Sequence, residues 1–187
     1  MTKYRKTPLI PFPIGSSQEE FDQLQKELME QTDRGAAVLG GSFLEWRVKQ
    51  AIRVRLRVWD ANAEMIFGTD EKPGELGFAY QCRMAYCLGL IGPKGLKDLE
   101  TIAKVRNRFA HHLSVTSFED RRISDYCKAL RTPELWYDLC QLESTKPAEQ
   151  PRLRYITSVQ VLHSMIWAVA AQASVVWPKV NPGTGFW

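Results

Sequence analysis

The run Arg106-Asn107-Arg108-Phe109-Ala110-His111-His112 gathers two arginines, an asparagine and two histidines into one short stretch. An arginine presents a planar, permanently charged fork that suits a phosphate. A histidine titrates near neutral pH and can carry a proton to or from a hydroxyl. Together they are the minimum kit for cleaving RNA without a metal. The imidazole assists attack by the 2′-hydroxyl or protonates the leaving oxygen, while the guanidinium stabilises charge building on phosphorus. On a helix, Asn107 and His111 share a face, as do Arg108 and His112. Arg106 and His111 stand about 140° apart around the axis, so both can border one cleft without stacking on each other. The candidate roles are Arg106 for the scissile phosphate, His111 as acid/base and Asn107 as the orienting group. Arg108 and His112 are supporting nucleic-acid contacts. A helix that closes on basic residues is also favoured by its own dipole, by about 0.3–1 kcal/mol per charge. The pattern therefore has a structural explanation beside the functional one.

Positioning these residues falls to helices. After a Pro-rich arm (residues 1–15), Ser16 and Ser17 stand at capping-box spacing from Glu19 and Glu20, and Phe21, Leu24, Leu28 and Met29 follow at helical period. A second helix is expected from about 34 to 59, capped by Asp33. Its Gly40-Gly41 pair costs about 1 kcal/mol per glycine relative to alanine, which points to a close helix–helix approach. Residues 53–59 alternate as a half-buried strand would, but no partner strand occurs elsewhere. Residues 60–75 read as a loop, and a third helix runs over 76–90. Gly92-Pro93-Lys94-Gly95 is expected as a tight turn into the fourth helix, 96–111, which carries the motif. Thr116 to Asp120 would cap a fifth, ending near 130, and Thr132-Pro133 starts a sixth that reaches 143. A linker and a last long helix, 152–176, complete a single all-α bundle of about seven helices, with a tail at 178–187 after a helical domain of 16–177.

The whole chain, 187 residues with 44 % apolar and 25 % charged side chains, has the composition of one globular domain. Its net charge of +4, with a pI near 8.9, points only weakly to nucleic acid. Arg47, Arg53 and Arg57 in the second helix are candidate phosphate contacts, although their charges spread around that helix and would equally suit a solvated or interface face. The 131–150 stretch is acidic by contrast. Cys82, Cys87, Cys127 and Cys140 form no CxxC pair and have no histidine at metal spacing, so they read as small buried side chains in a reducing cytoplasm, with neither a metal nor another cofactor expected. The proline-broken start does not form a signal peptide, and His163, Ser164, Gln172 and Ser174 interrupt the most apolar window. No membrane role is expected. His163 reads as a core histidine, and the tryptophans as core or interface residues.

The Arg106-to-His111 string resembles the Rx4–6H motif of HEPN domains. The order of segments is similar to the mannitol operon repressor (MltR-like) family over about residues 34–176: Ser42-Phe43-Leu44 early in a long helix, Tyr86 to Ile91 before a turn, Leu99-Glu100 leading to the motif, and a long closing helix. The HEPN resemblance implies a metal-independent endoribonuclease, often a toxin or defence effector, acting as a homodimer on RNA. The mannitol repressor resemblance implies the alternative, a non-enzymatic transcriptional regulator or partner-binding protein; an antitoxin or regulatory protein could govern either. No helix-turn-helix spacing is found.

Overall fold

The computed structural model describes residues 18–56, 61–68, 72, 74–139 and 149–176. The Pro-rich arm and the C-terminal tail lie outside these, as do Arg57, Trp59, Cys140 and Trp177. The fold is all-α. Eight helices are found among the described residues: α1 (Gln18–Glu30), α2 (Asp33–Leu56), α3 (Ala61–Phe67), α4 (Phe78–Cys87), α5 (Pro93–His111), α6 (Arg121–Lys128), α7 (Thr132–Leu139) and α8 (Pro151–Val176).

Three departures from the sequence expectation have clear causes. Residues 61–67, read as loop, form α3, whose last residue Phe67 is buried and anchors it to the core. The Gly92-Pro93-Lys94-Gly95 turn is already helix: Gly92 is extended at the N-cap and Pro93 occupies the first turn, where its missing N–H costs nothing. Asp33 does not cap α2. Thr32 does, its Oγ1 accepting the Gly35 N–H at 3.1 Å. The Asp33 carboxylate instead reaches out of its helix, to the Phe118 N–H at 2.9 Å and to Arg152. The alternating segment is helical through Leu56.

Long helices α2 and α8 form the central pair, and α5 packs across both. Leu44, Val48 and Ile52 of α2 meet Leu99, Ile102 and Phe109 of α5 and Tyr155, Val159 and Ile166 of α8 in one core. Burial of each such side chain contributes about 1.5–3 kcal/mol. Between Arg154 and Ser164, α8 is buried all round, as a helix at the centre of a bundle must be. Phe109, Phe118 and Tyr155 make a tilted aromatic stack with centroids 5.1 and 5.2 Å apart, and the Tyr155 hydroxyl donates to Ala37 O at 2.7 Å.

The glycine pair lies where these three helices meet. A Cβ on Gly40 would stand 3.2 Å from Tyr155 Cε1 and Val159 Cγ2 of α8. One on Gly41 would stand 2.7 Å from Arg106 Cδ and 2.8 Å from Arg106 Cβ of α5. The motif's first arginine thus crosses α2 where α2 has no side chain.

Candidate functional site

The motif occupies the last two turns of α5. Phe109, fully buried, pins that end to the core, and the free carbonyls beyond it would otherwise want partners. Arg34, in the first turn of α2, supplies them. Its Nη1 donates to Phe109 O, and its Nη2 lies 2.7 Å from Val115 O and 3.2 Å from both His112 O and Leu113 O. One guanidinium therefore closes α5 and holds the loop that follows. Asp33 holds the next stretch through Phe118 N–H. Burial tends to raise the Asp33 pKa, but the bonds from Phe118, Arg152 and Ser117 outweigh it and keep the carboxyl below its ordinary value. Arg152 repeats the device at α1, donating to Leu28 O, Met29 O and Gln31 O.

Arg106 is half-buried, with its stem laid over Gly41 and its Nη1 2.6 Å from Glu45 Oε2. His111, Asn107 and His112 are exposed, and Arg108 is partly so. Among the described residues, no hydrogen bond or ion pair engages the side chains of Asn107, Arg108, His111 or His112. The motif is thereby divided: Arg106 is tied to α2, and the histidines stand in solvent with no bond to it.

The proposed phosphate track along α2 requires correction. Arg47 is 3 % exposed and Arg53 is 9 % exposed, because these positions fall on the side of α2 that packs into the bundle. The Arg47 guanidinium lies 4.9 Å from the Trp46 ring and 4.7 Å from the Trp167 ring, and its Nε donates to His163 Nε2 at 2.9 Å. Burial first, and then the Arg47 charge, push the His163 pKa down to about 3, so this histidine is a neutral core acceptor. Arg57 lies outside the described residues.

The two cysteines buried among the described residues are not nucleophiles. Burial pushes Cys82 and Cys127 up to about 12, far from thiolate formation. Cys87, expected to be buried, is exposed at the end of α4. Among the described residues, no cluster of His, Cys, Asp or Glu could hold a metal ion, and no helix is long and apolar enough to cross a membrane.

Sequence reasoning missed Arg34 and Glu45, which hold Phe109 and Arg106 from 75 and 61 residues away, and the Asp33–Arg152 pair, whose members stand 119 residues apart. Nothing local marks them. Asp33 read as an ordinary cap, and position 34 only as the start of a helix.

The sequence matches no protein-family model and no curated protein. Its fold is similar to that of MtlR from Escherichia coli in an X-ray structure of the MtlR–HPr complex, with a TM-score of 0.56 and 19 % identity. The similarity covers 82 % of this chain and 99 % of that one. The shared property at such identity is the helical architecture.

Proposed function

We propose that this protein is a non-enzymatic, partner-binding regulator of the mannitol repressor type, engaging a small protein of the HPr kind. The observation that carries this reading is the Arg106–Glu45 pair. This guanidinium is engaged by a carboxylate at 2.6 Å and its stem fills the α2–α5 contact, which makes it a helix-joining group first and a phosphate ligand only at the expense of that pair. Further support comes from the architecture shared with MtlR, a protein seen in complex with HPr. RNA cleavage by Arg106 and His111 draws no comparable support, since no cavity found among the described residues is lined by both.

Two measurements test the reading together. Calorimetric titration with purified HPr should give saturable, one-to-one binding. Incubation with total RNA in EDTA should leave no cyclic-phosphate ends above those produced by the His111→Ala variant. Absence of HPr binding, combined with EDTA-resistant cleavage that His111→Ala abolishes, would overturn the proposal in favour of the nuclease.

A further inference from the structure

Beyond the last turn of α5 the bundle ends in a basic concavity. Arg108, Arg121 and Arg122 line a polar cavity of about 500 Å³, together with Ser114, Asp120 and Asp125. Among the described residues, no hydrogen bond or ion pair engages any of these three guanidiniums. Of the two carboxylates, Asp120 is already committed: its Oδ1 accepts the N–H groups of Arg122 at 3.1 Å and Ile123 at 3.4 Å, capping α6. Three arginines against two aspartates leave the cavity net positive. The loop that brings Ser114 and Val115 to its wall is held in place, since Arg34 binds the carbonyls of residues 112, 113 and 115 and Asp33 binds the Phe118 N–H.

Next to this cavity, between His112 and the lining residue Ser114, Leu113 stands 88 % exposed. A leucine held in water on a rigid loop loses apolar burial that most positions could provide. It offers nothing to a phosphate backbone. An exposed apolar residue next in the chain to a cavity lined by three unpaired guanidiniums matches a protein surface that brings both an apolar side chain and carboxylates.

We propose that this end of the bundle is a docking face for an acidic segment of a partner protein, with Arg108, Arg121 and Arg122 receiving carboxylates and Leu113 receiving an apolar side chain. The inference rests on the partner-binding reading and assigns that reading a surface and a chemistry.

A fluorescent peptide of alternating Glu and Leu, the same peptide with Gln for Glu, and single-stranded RNA of equal charge are the probes, each titrated into the full chain. The Glu peptide should bind saturably, weaken as salt rises, and bind at least about tenfold more tightly than the Gln peptide. Arg121→Glu combined with Arg122→Glu should cost about tenfold or more, and Leu113→Asp a comparable loss. Thermal melts should confirm that each variant is folded, and the paired alanine variant serves if charge reversal unfolds the chain. Equal binding by wild type and variants, no binding of the Glu peptide, or tighter binding of RNA at the same arginines would each overturn the inference. HPr binding that these variants leave unchanged sinks the docking face alone. Loss of HPr binding as a property of the wild type, with peptide binding intact, sinks only the choice of HPr as partner.

Discussion

Arg106 Nη1 lies 2.6 Å from Glu45 Oε2, so the arginine that opens the motif is also the electrostatic link between α5 and α2. Both side chains are about 30 % exposed, at 27 % and 32 %, and solvent screens the pair. Glu45→Gln should therefore cost about 1 kcal/mol or less, read as a small shift in the urea midpoint. The same variant releases the guanidinium. If Arg106 were a restrained catalytic group, Glu45→Gln would raise RNA cleavage; the expected result is no cleavage before or after.

Gly41→Ala should destabilise the fold even though alanine is the better helix former. The new Cβ would lie within 2.8 Å of Arg106 Cβ and Cδ, and the former is too close to the backbone to swing aside. Overpacking of this kind costs about 1–3 kcal/mol, against a propensity gain of about 1. Arg106→Gly added to Gly41→Ala removes both offending atoms, so the pair should lose clearly less stability than the sum of the two single variants. A double-mutant cycle in denaturant checks this, and simple additivity would refute the contact.

Arg34→Ala should loosen the end of α5. Charged hydrogen bonds contribute about 1.5–3 kcal/mol, so a loss of about 2–3 kcal/mol is expected from a guanidinium that serves four carbonyls. Amide exchange should accelerate most over residues 112–118. Arg34→Lys should recover only part, because one ammonium cannot reproduce the planar fork.

His163 makes stability depend on pH. Its folded pKa is about 3 against an ordinary 6.5, so between those values the unfolded chain binds more protons. Stability therefore falls as pH drops from 6.5 toward 3, and Asp33, also lowered, adds to the loss below its ordinary 3.8. Midpoints measured at pH 7 and pH 4.5 should differ clearly in the wild type. His163→Gln, whose amide oxygen can still accept from Arg47, should narrow that difference. An unchanged slope would show that His163 does not titrate between the two pH values.

Helical class, the position of α5, the long closing helix α8 and the need for close approach at Gly40-Gly41 were all legible from residue order. Each depends on periodicity or backbone preference, which neighbours in sequence set directly. The motif's spacing was legible for the same reason, and so was the basic character of the end of α5. What those basic residues face was not. Whether Arg47 and Arg53 point to water or into the core depends on which side of α2 meets α8, and only packing decides it. Asp33 and Arg34 look like a helix start, yet both spend their charges on backbone that arrives from α5 and the loop after it. Arg106 could be read as a free phosphate fork until Glu45, 61 residues earlier, was found beside it. A side chain's chemistry is inherent in its type, but its availability depends on which distant groups folding brings within hydrogen-bond reach, and no local pattern encodes that.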